Sequence, residues 1–182
     1  MKKQTLRKMI YSGLLIAFGV LFPQLFHIFG PQAGQTFLPM HIPVILAGIL
    51  AGPLWGAGVA FLAPVFSSLI TGMPAVPMLY FMLLELLTYA VVSGLLSKRI
   101  HIYPTLAITV VCGRIVYGLS LIAAVNLLGM HFPFANTAAF FGGIVTGLPG
   151  VVLQFVLIPL IVFALKKGGF TFADSGSRST AE

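Results

Sequence analysis

Long apolar runs, separated by short polar or Gly/Pro-containing stretches, cover most of this chain. A membrane-spanning helix needs about 20 consecutive apolar residues. The stretch 37–71 is too long for one span, and Gly52-Pro53 marks a break inside it. The pattern therefore predicts an all-α integral membrane protein, a compact bundle of six transmembrane helices. The predicted spans are 10–29, 38–51, 54–71, 77–97, 103–128 and 138–165.

The composition supports this interpretation. Hydrophobic residues make up 59% of the chain, charged residues 7%, and the mean hydropathy is +1.08. Soluble domains carry about 25% charged residues. With 182 residues, six spans leave no room for a soluble domain, so residues 1–167 form one membrane domain. The segment 168–182 is rich in Ser, Thr and Gly and is predicted to be a flexible cytoplasmic tail.

The positions of the basic residues predict the orientation. A net charge of +7 would also suit a nucleic-acid-binding protein, but lysines and arginines flank the apolar runs. They precede the first span, lie in the connection between the fourth and fifth spans, and follow the sixth span. The connections at 30–37, 72–76 and 129–136 carry none. The positive-inside rule therefore predicts that both termini are cytoplasmic, and nothing in this pattern indicates nucleic acid.

Two charged residues lie within the apolar runs. Glu85 is the only carboxylate in such a run, and Arg114 is the only basic residue in a similar position. Charged groups in hydrocarbon are costly, so they usually pair, face a cavity or serve a function. At a rise of about 1.5 Å per residue, both lie near mid-membrane on neighbouring spans, and we expect an ion pair. The pair either staples two helices or also contacts a ligand, because a guanidinium has more donors than one carboxylate occupies.

Other polar side chains extend this cluster into a candidate binding site. Tyr89 lies one helical turn from Glu85, and His41 lies in a Pro-flanked segment at the outer end of the second span. Each polar group also fits a simple interhelical hydrogen bond. One His without nearby Cys, Asp or a second His is a poor metal site, so we predict no metal and no cofactor. The predicted substrate-binding residues are Arg114, Glu85, Tyr89, His41, Tyr117, Asn126 and Gln154.

The sequence does not indicate an enzyme. It contains no Gly-x-Ser-x-Gly elbow, no His-Glu-x-x-His motif and no phosphate-binding Gly-rich loop with Lys. Any ATP hydrolysis is therefore expected on partner chains. Gly13 and Ala17 in the first span form a small-xxx-small step, which lets another helix approach closely. That helix belongs either to a partner or to the same bundle.

Four short segments carry a resemblance to a known family: 38–44 (LPMHIPV), 47–57 (AGILAGPLWGA), 113–118 (GRIVYG) and 148–154 (LPGVVLQ). With six spans and a basic lead into a small-residue first helix, the chain resembles the substrate-binding membrane subunits (S components) of energy-coupling factor (ECF) transporters. The resemblance extends to about Lys167. It implies a multi-pass protein of a bacterial cell membrane.

The resemblance also implies a mechanism. The subunit would capture a water-soluble vitamin or precursor at the outer face, in a pocket formed by its last three spans and the loops above them. It would dock through Gly13 and Ala17 on a transmembrane coupling subunit that rests on two ATPase subunits, and ATP-driven tipping would release the ligand inside. A free Arg114 suits pantothenate, whereas neutralisation by Glu85 suits pyridoxine or hydroxymethylpyrimidine.

Two other functions remain open at this point. The first is an autonomous proton- or sodium-coupled carrier that uses Glu85 and Arg114. The second is a structural subunit without a ligand.

Overall fold

In the computed structural model of the chain, the described residues are 3–28, 30–128 and 137–168, and every regular element among them is a helix. Six helices or helix pairs are long and apolar enough to cross a membrane. This confirms the all-α, six-span membrane fold. The elements are α1 (Lys3–His27), α2 (Pro31–Phe37), α3 (His41–Ala51), α4 (Pro53–Thr71), α5 (Met78–Leu96), α6 (Ile102–Leu128) and α7 (Thr137–Lys167).

The break inside the long apolar stretch lies where the Gly-Pro pair predicts it. Helix α3 ends at Ala51 and α4 begins at Pro53. Gly52 between them has a φ of 94°, a conformation that glycine adopts without the steric cost of a Cβ. Pro53 is well placed because the first residue of a helix has no intrahelical use for its N–H.

The segment 30–37 was predicted to be a connection, and the structure instead contains helix α2 there. Pro31 opens this helix, and Leu38 closes it in the left-handed region with φ 48°. The backbone N–H of Leu38 donates to the carbonyl oxygen of Gly34 at 3.1 Å. Together α2 and α3 make up the second candidate span, Gln32–Ala51. The predicted connection at 129–136 and the tail beyond Gly168 lie outside the described residues.

Helix α3 lies at the centre of the bundle, and all but one of its residues are buried. It contacts α1, α4, α5 and α7. Its Gly48 lies against the backbone of Ala90 on α5 and against Gly56 on α4. These small residues let three helices approach at backbone distance, which explains why the short second span can be almost wholly enclosed.

Many large apolar side chains of α1, α6 and α7 are exposed, among them Phe18, Leu119, Val152 and Phe163. Such a surface suits contact with lipid rather than water. We call the end of the bundle that holds α2 and the α4–α5 connection the outer end. The charge pattern predicts that this end faces away from the cytoplasm.

Candidate functional site

A cavity of about 560 Å³ lies at the outer end of the bundle. All seven helices and the α4–α5 connection contribute to its wall, a wider origin than the last three spans that the resemblance implies. Most of the wall is apolar. The polar side chains that line it are Gln35, His41, Ser67, Glu85, Arg114, Tyr117 and Thr146.

Glu85 and Arg114 form the charged centre of this cavity. Arg114 Nη1 lies 3.2 Å from Glu85 Oε1, and the Glu85 side chain is only 4% exposed. The ion pair expected from the sequence is therefore present. A buried carboxylate without a partner would be strongly destabilising, and the guanidinium supplies that partner across the α5–α6 interface.

Tyr89 holds the Glu85 carboxylate by a hydrogen bond. Its hydroxyl donates to Glu85 Oε1 at 3.0 Å, one turn along the same helix. The Tyr89 ring packs on Gly113 of α6, where a Cβ would overlap the ring. Tyr89 is buried and does not line the cavity. It therefore positions Glu85 rather than facing the cavity itself.

His41 stands beside the same carboxylate at the start of α3. Its ring lies 5.2 Å from the Tyr89 ring, and its Nε2 is 3.9 Å from Glu85 Oε2. That separation is too long for a hydrogen bond. Both ring nitrogens of His41 are buried and have no hydrogen-bond partner among the described residues. A polar group facing the cavity is thus left with unused bonding capacity.

The apolar wall combines aromatic rings with sulfur. Tyr117 and Phe140 stack with their ring planes 15° apart and their centroids 6.3 Å apart. The Tyr117 hydroxyl donates to Met78 Sδ at 3.5 Å, a weak acceptor. Thioethers are polarisable and adapt their shape to a neighbouring ring. Four methionines line the cavity: Met40, Met73, Met78 and Met82.

Helix α2 closes part of the cavity against α7. The backbone of Phe37, at the end of α2, lies so close to Gly150 that a Cβ there would be 2.6 Å from its carbonyl carbon. Leu38 and Gln35 continue this contact near Gly147 and line the cavity. The sequence pattern does not indicate this contribution, because it predicts a connection rather than a helix at 30–37.

The remaining predicted residues lie elsewhere. Asn126 is exposed near the end of α6 and does not line the cavity. Gln154 is 1% exposed, its amide atoms have no partner among the described residues, and it also lies outside the cavity wall. Of the seven predicted residues, the structure brings four to the cavity wall: His41, Glu85, Arg114 and Tyr117.

Ser67 and Ser68 hold the outer connection between α4 and α5. Ser67 donates to the carbonyl oxygen of Met73 at 2.8 Å, and Ser68 donates to that of Pro74 at 2.9 Å. Their hydroxyl groups are thus committed to a structural contact. Within the described ranges, no group of three or more His, Cys, Asp and Glu residues could hold a metal ion.

The small residues of α1 fall on two different faces. Gly13 and Ala17 are exposed, and a Cβ on Gly13 would meet nothing within 4 Å. Gly19 is buried instead, and a Cβ there would lie 2.8 Å from Ala63 Cβ of α4. Gly56 and Ala60, which form a further small-xxx-small step on α4, are also buried. The Gly13–Ala17 step therefore remains open to a partner outside the bundle.

The fold and the cavity define a multi-pass helical membrane protein with a polar centre near one end of its spans. A family model described as "ECF transporter, substrate-specific component" matches residues 7–162. The chain belongs to this family, and it is a transport subunit rather than an enzyme. Comparisons with curated proteins and with solved structures gave no significant match.

Proposed function

We propose that this chain captures a water-soluble vitamin or vitamin precursor at the outer face of a bacterial cell membrane and delivers it inward as part of an ECF importer. The observation that carries the proposal is the cavity at the outer end, with Glu85, His41 and Arg114 at its polar centre. Its volume of about 560 Å³ lies in the range of small-molecule sites, roughly 300–1,000 Å³.

Delivery requires partners. The proposed partners are a transmembrane coupling subunit and two ATPase subunits, together with the lipid bilayer. The Gly13–Ala17 step supports docking, because both residues are exposed and leave space for the close approach of another helix. ATP-driven tipping of the whole subunit would then carry the ligand across.

Binding by the isolated chain is the first test. The detergent-purified protein is screened by thermal shift against water-soluble vitamins and precursors, including pantothenate, pyridoxine and hydroxymethylpyrimidine. A ligand present at a thousand-fold excess over its Kd stabilises the folded state by about 4 kcal/mol. A flat screen on folded protein would argue for a subunit without a ligand.

Docking is tested by enlarging the exposed step. Gly13→Leu and Ala17→Leu should leave ligand binding intact and abolish uptake in the complete complex, because the added side chains occupy open space in the isolated chain. Gly58→Leu is the matched control, since Gly58 on α4 is also exposed with nothing near its Cβ position. Uptake by Gly13→Leu equal to that of Gly58→Leu would contradict docking at this step.

An autonomous ion-coupled carrier is the second candidate, favoured by the buried carboxylate of Glu85. Intramembrane acids of this kind serve as proton relays in transporters. The two functions differ in what uptake requires. Vesicles that contain only this chain should take up nothing if the ECF proposal holds. Uptake by the chain alone, abolished by an uncoupler, would support the carrier.

A further inference from the structure

The charge balance of the cavity bears on the kind of ligand it accepts. Among the described residues that line it, Glu85 is the one acid and Arg114 the one Lys or Arg, and the two are paired at 3.2 Å. The charges of Glu85 and Arg114 therefore cancel each other without a ligand. An anionic ligand would add an uncompensated charge to a mostly apolar enclosure, which is costly.

The polar centre nevertheless has hydrogen-bonding capacity that no described residue uses. Glu85 Oε1 is occupied by Tyr89 and Arg114, whereas Oε2 faces His41 Nε2 across 3.9 Å. This gap is too wide for a direct hydrogen bond, yet one hydroxyl oxygen can lie about 2.8 Å from each atom. A hydroxyl group both donates and accepts, so it can donate to the carboxylate and accept from a ring N–H of His41.

The wall around this position suits a flat ring. Tyr117 and Phe140 line the cavity as a stacked pair of rings, and the four cavity methionines supply thioethers. Contacts between sulfur and an aromatic ring are favourable, and the unbranched side chains adapt to the outline of a ring. An aliphatic ligand would use the volume but not these two features.

From the proposed function we infer that the ligand is an uncharged aromatic or heteroaromatic ring that places a hydroxyl group between Glu85 Oε2 and His41 Nε2. His41 is then a specificity-determining residue. It supplies one half of the hydroxyl contact, while its buried position keeps water from competing. A ligand without the hydroxyl leaves Glu85 Oε2 and His41 Nε2 without a hydrogen bond, which is the arrangement that discriminates most strongly between related molecules.

The test uses the full-length purified chain and two matched probe pairs. Hydroxymethylpyrimidine is compared with its methyl counterpart, in which hydrogen replaces the hydroxyl group. Pyridoxine is compared with the deoxy counterpart in which hydrogen replaces the hydroxyl group of one hydroxymethyl substituent. Pantothenate and biotin serve as anionic probes. We expect a neutral hydroxylated ring to bind best, and its deoxy counterpart to bind at least tenfold more weakly.

Two variants show whether the preference arises at the proposed position. His41→Phe keeps a ring against Tyr89 but removes both nitrogens, and it should reduce the hydroxyl preference to less than threefold. His101→Phe makes the same change at an exposed histidine outside the cavity wall and should keep the preference above tenfold. A His41→Phe protein that still prefers the hydroxylated probe tenfold would overturn the assignment.

The outcomes also separate this inference from the proposed function. If pantothenate or biotin binds most tightly, the chain is still a vitamin-binding subunit, but the inference of an uncharged ligand is wrong. If every probe fails while another vitamin of the wider screen binds, only the inference is overturned. If the whole vitamin screen is flat on folded protein, vitamin capture is overturned as well.

Discussion

Helices α5 and α7 are held in the bundle in different ways. Helix α5 packs extensively against α3, α4 and α6, and its Gly94 approaches the backbone of Pro53 and Gly48. Helix α7 packs mainly against the short α2 and only sparingly against α3 and α6. Its outward face is a row of exposed apolar side chains such as Val145 and Val156. Helix α5 is therefore held by the backbones of its neighbours, whereas α7 is held by a few local contacts.

This difference divides the cavity into two parts. Glu85, Tyr89 and the partner Arg114 belong to the tightly packed α5–α6 pair, and His41 belongs to the central α3. Phe140 and Thr146 belong to α7. The polar centre is thus fixed by the best-packed helices, whereas the part of the wall that α2 and α7 contribute depends on the α2–α7 contact.

The largest expected effect comes from removing one member of the ion pair. Arg114→Ala should lower the free energy of unfolding by about 3–5 kcal/mol, because Glu85 then remains buried and unpaired. Ligand binding should weaken at least tenfold. The double variant Glu85→Gln, Arg114→Gln removes both charges and should be more stable than Arg114→Ala. Thermal unfolding of the three purified proteins measures this, and equal stability of the Arg114→Ala variant and the native chain would contradict it.

The next effect tests the backbone packing around α3. A Cβ on Gly56 would lie 2.8 Å from Gly48 Cα, so Gly56→Val should destabilise the protein by about 1–3 kcal/mol or more. Gly58→Val, two residues along the same helix, meets nothing within 4 Å and serves as the control. We expect the melting temperature to fall by several degrees for the first variant only. Equal melting temperatures would show that α3 and α4 separate easily.

The sequence predicts the tightly packed half of this molecule better than the other half. The six spans follow from hydropathy, since a membrane-crossing backbone must satisfy its own hydrogen bonds. The break at Gly52 follows from local chemistry, and the pairing of Glu85 with Arg114 follows from the high cost of lone charges in hydrocarbon. Each of these features follows from a large free-energy cost that few other arrangements of the chain would avoid.

The α2–α7 half lacks such penalties. Helix α2 has only seven residues, two of them glutamines, so neither its length nor its apolar pattern marks it as a helix within the membrane. The cavity methionines also resemble any other apolar residue of a span, because lipid-facing and cavity-facing positions have the same hydropathy. Only their polarity indicates Asn126 and Gln154 as substrate-binding residues, and polarity does not indicate which face of a helix meets the cavity.

A smaller effect should follow from disturbing the α2–α7 contact. Gly150→Leu places a side chain against the backbone of Phe37 and should displace the end of α2. Because Leu38 and Gln35 line the cavity, we expect binding to weaken about tenfold while the melting temperature changes little. Gly142→Leu is the control, since Gly142 on α7 is exposed with nothing near its Cβ position. Identical affinities for the two variants would show that α2 does not shape the binding site.

The smallest effect is expected from Tyr117→Phe. The substitution removes a hydroxyl whose described partner is the weak acceptor Met78 Sδ at 3.5 Å, while the ring stacked on Phe140 stays in place. If the apolar wall works through its ring faces, affinity should change less than threefold, and Tyr117→Leu should weaken binding at least tenfold because stacking is lost. Isothermal titration of both variants with the best ligand measures the difference. A large loss of affinity in Tyr117→Phe would show that this hydroxyl contacts the ligand. Tyr117 would then belong to the polar centre, and the division of the cavity into a polar and an apolar part would be wrong.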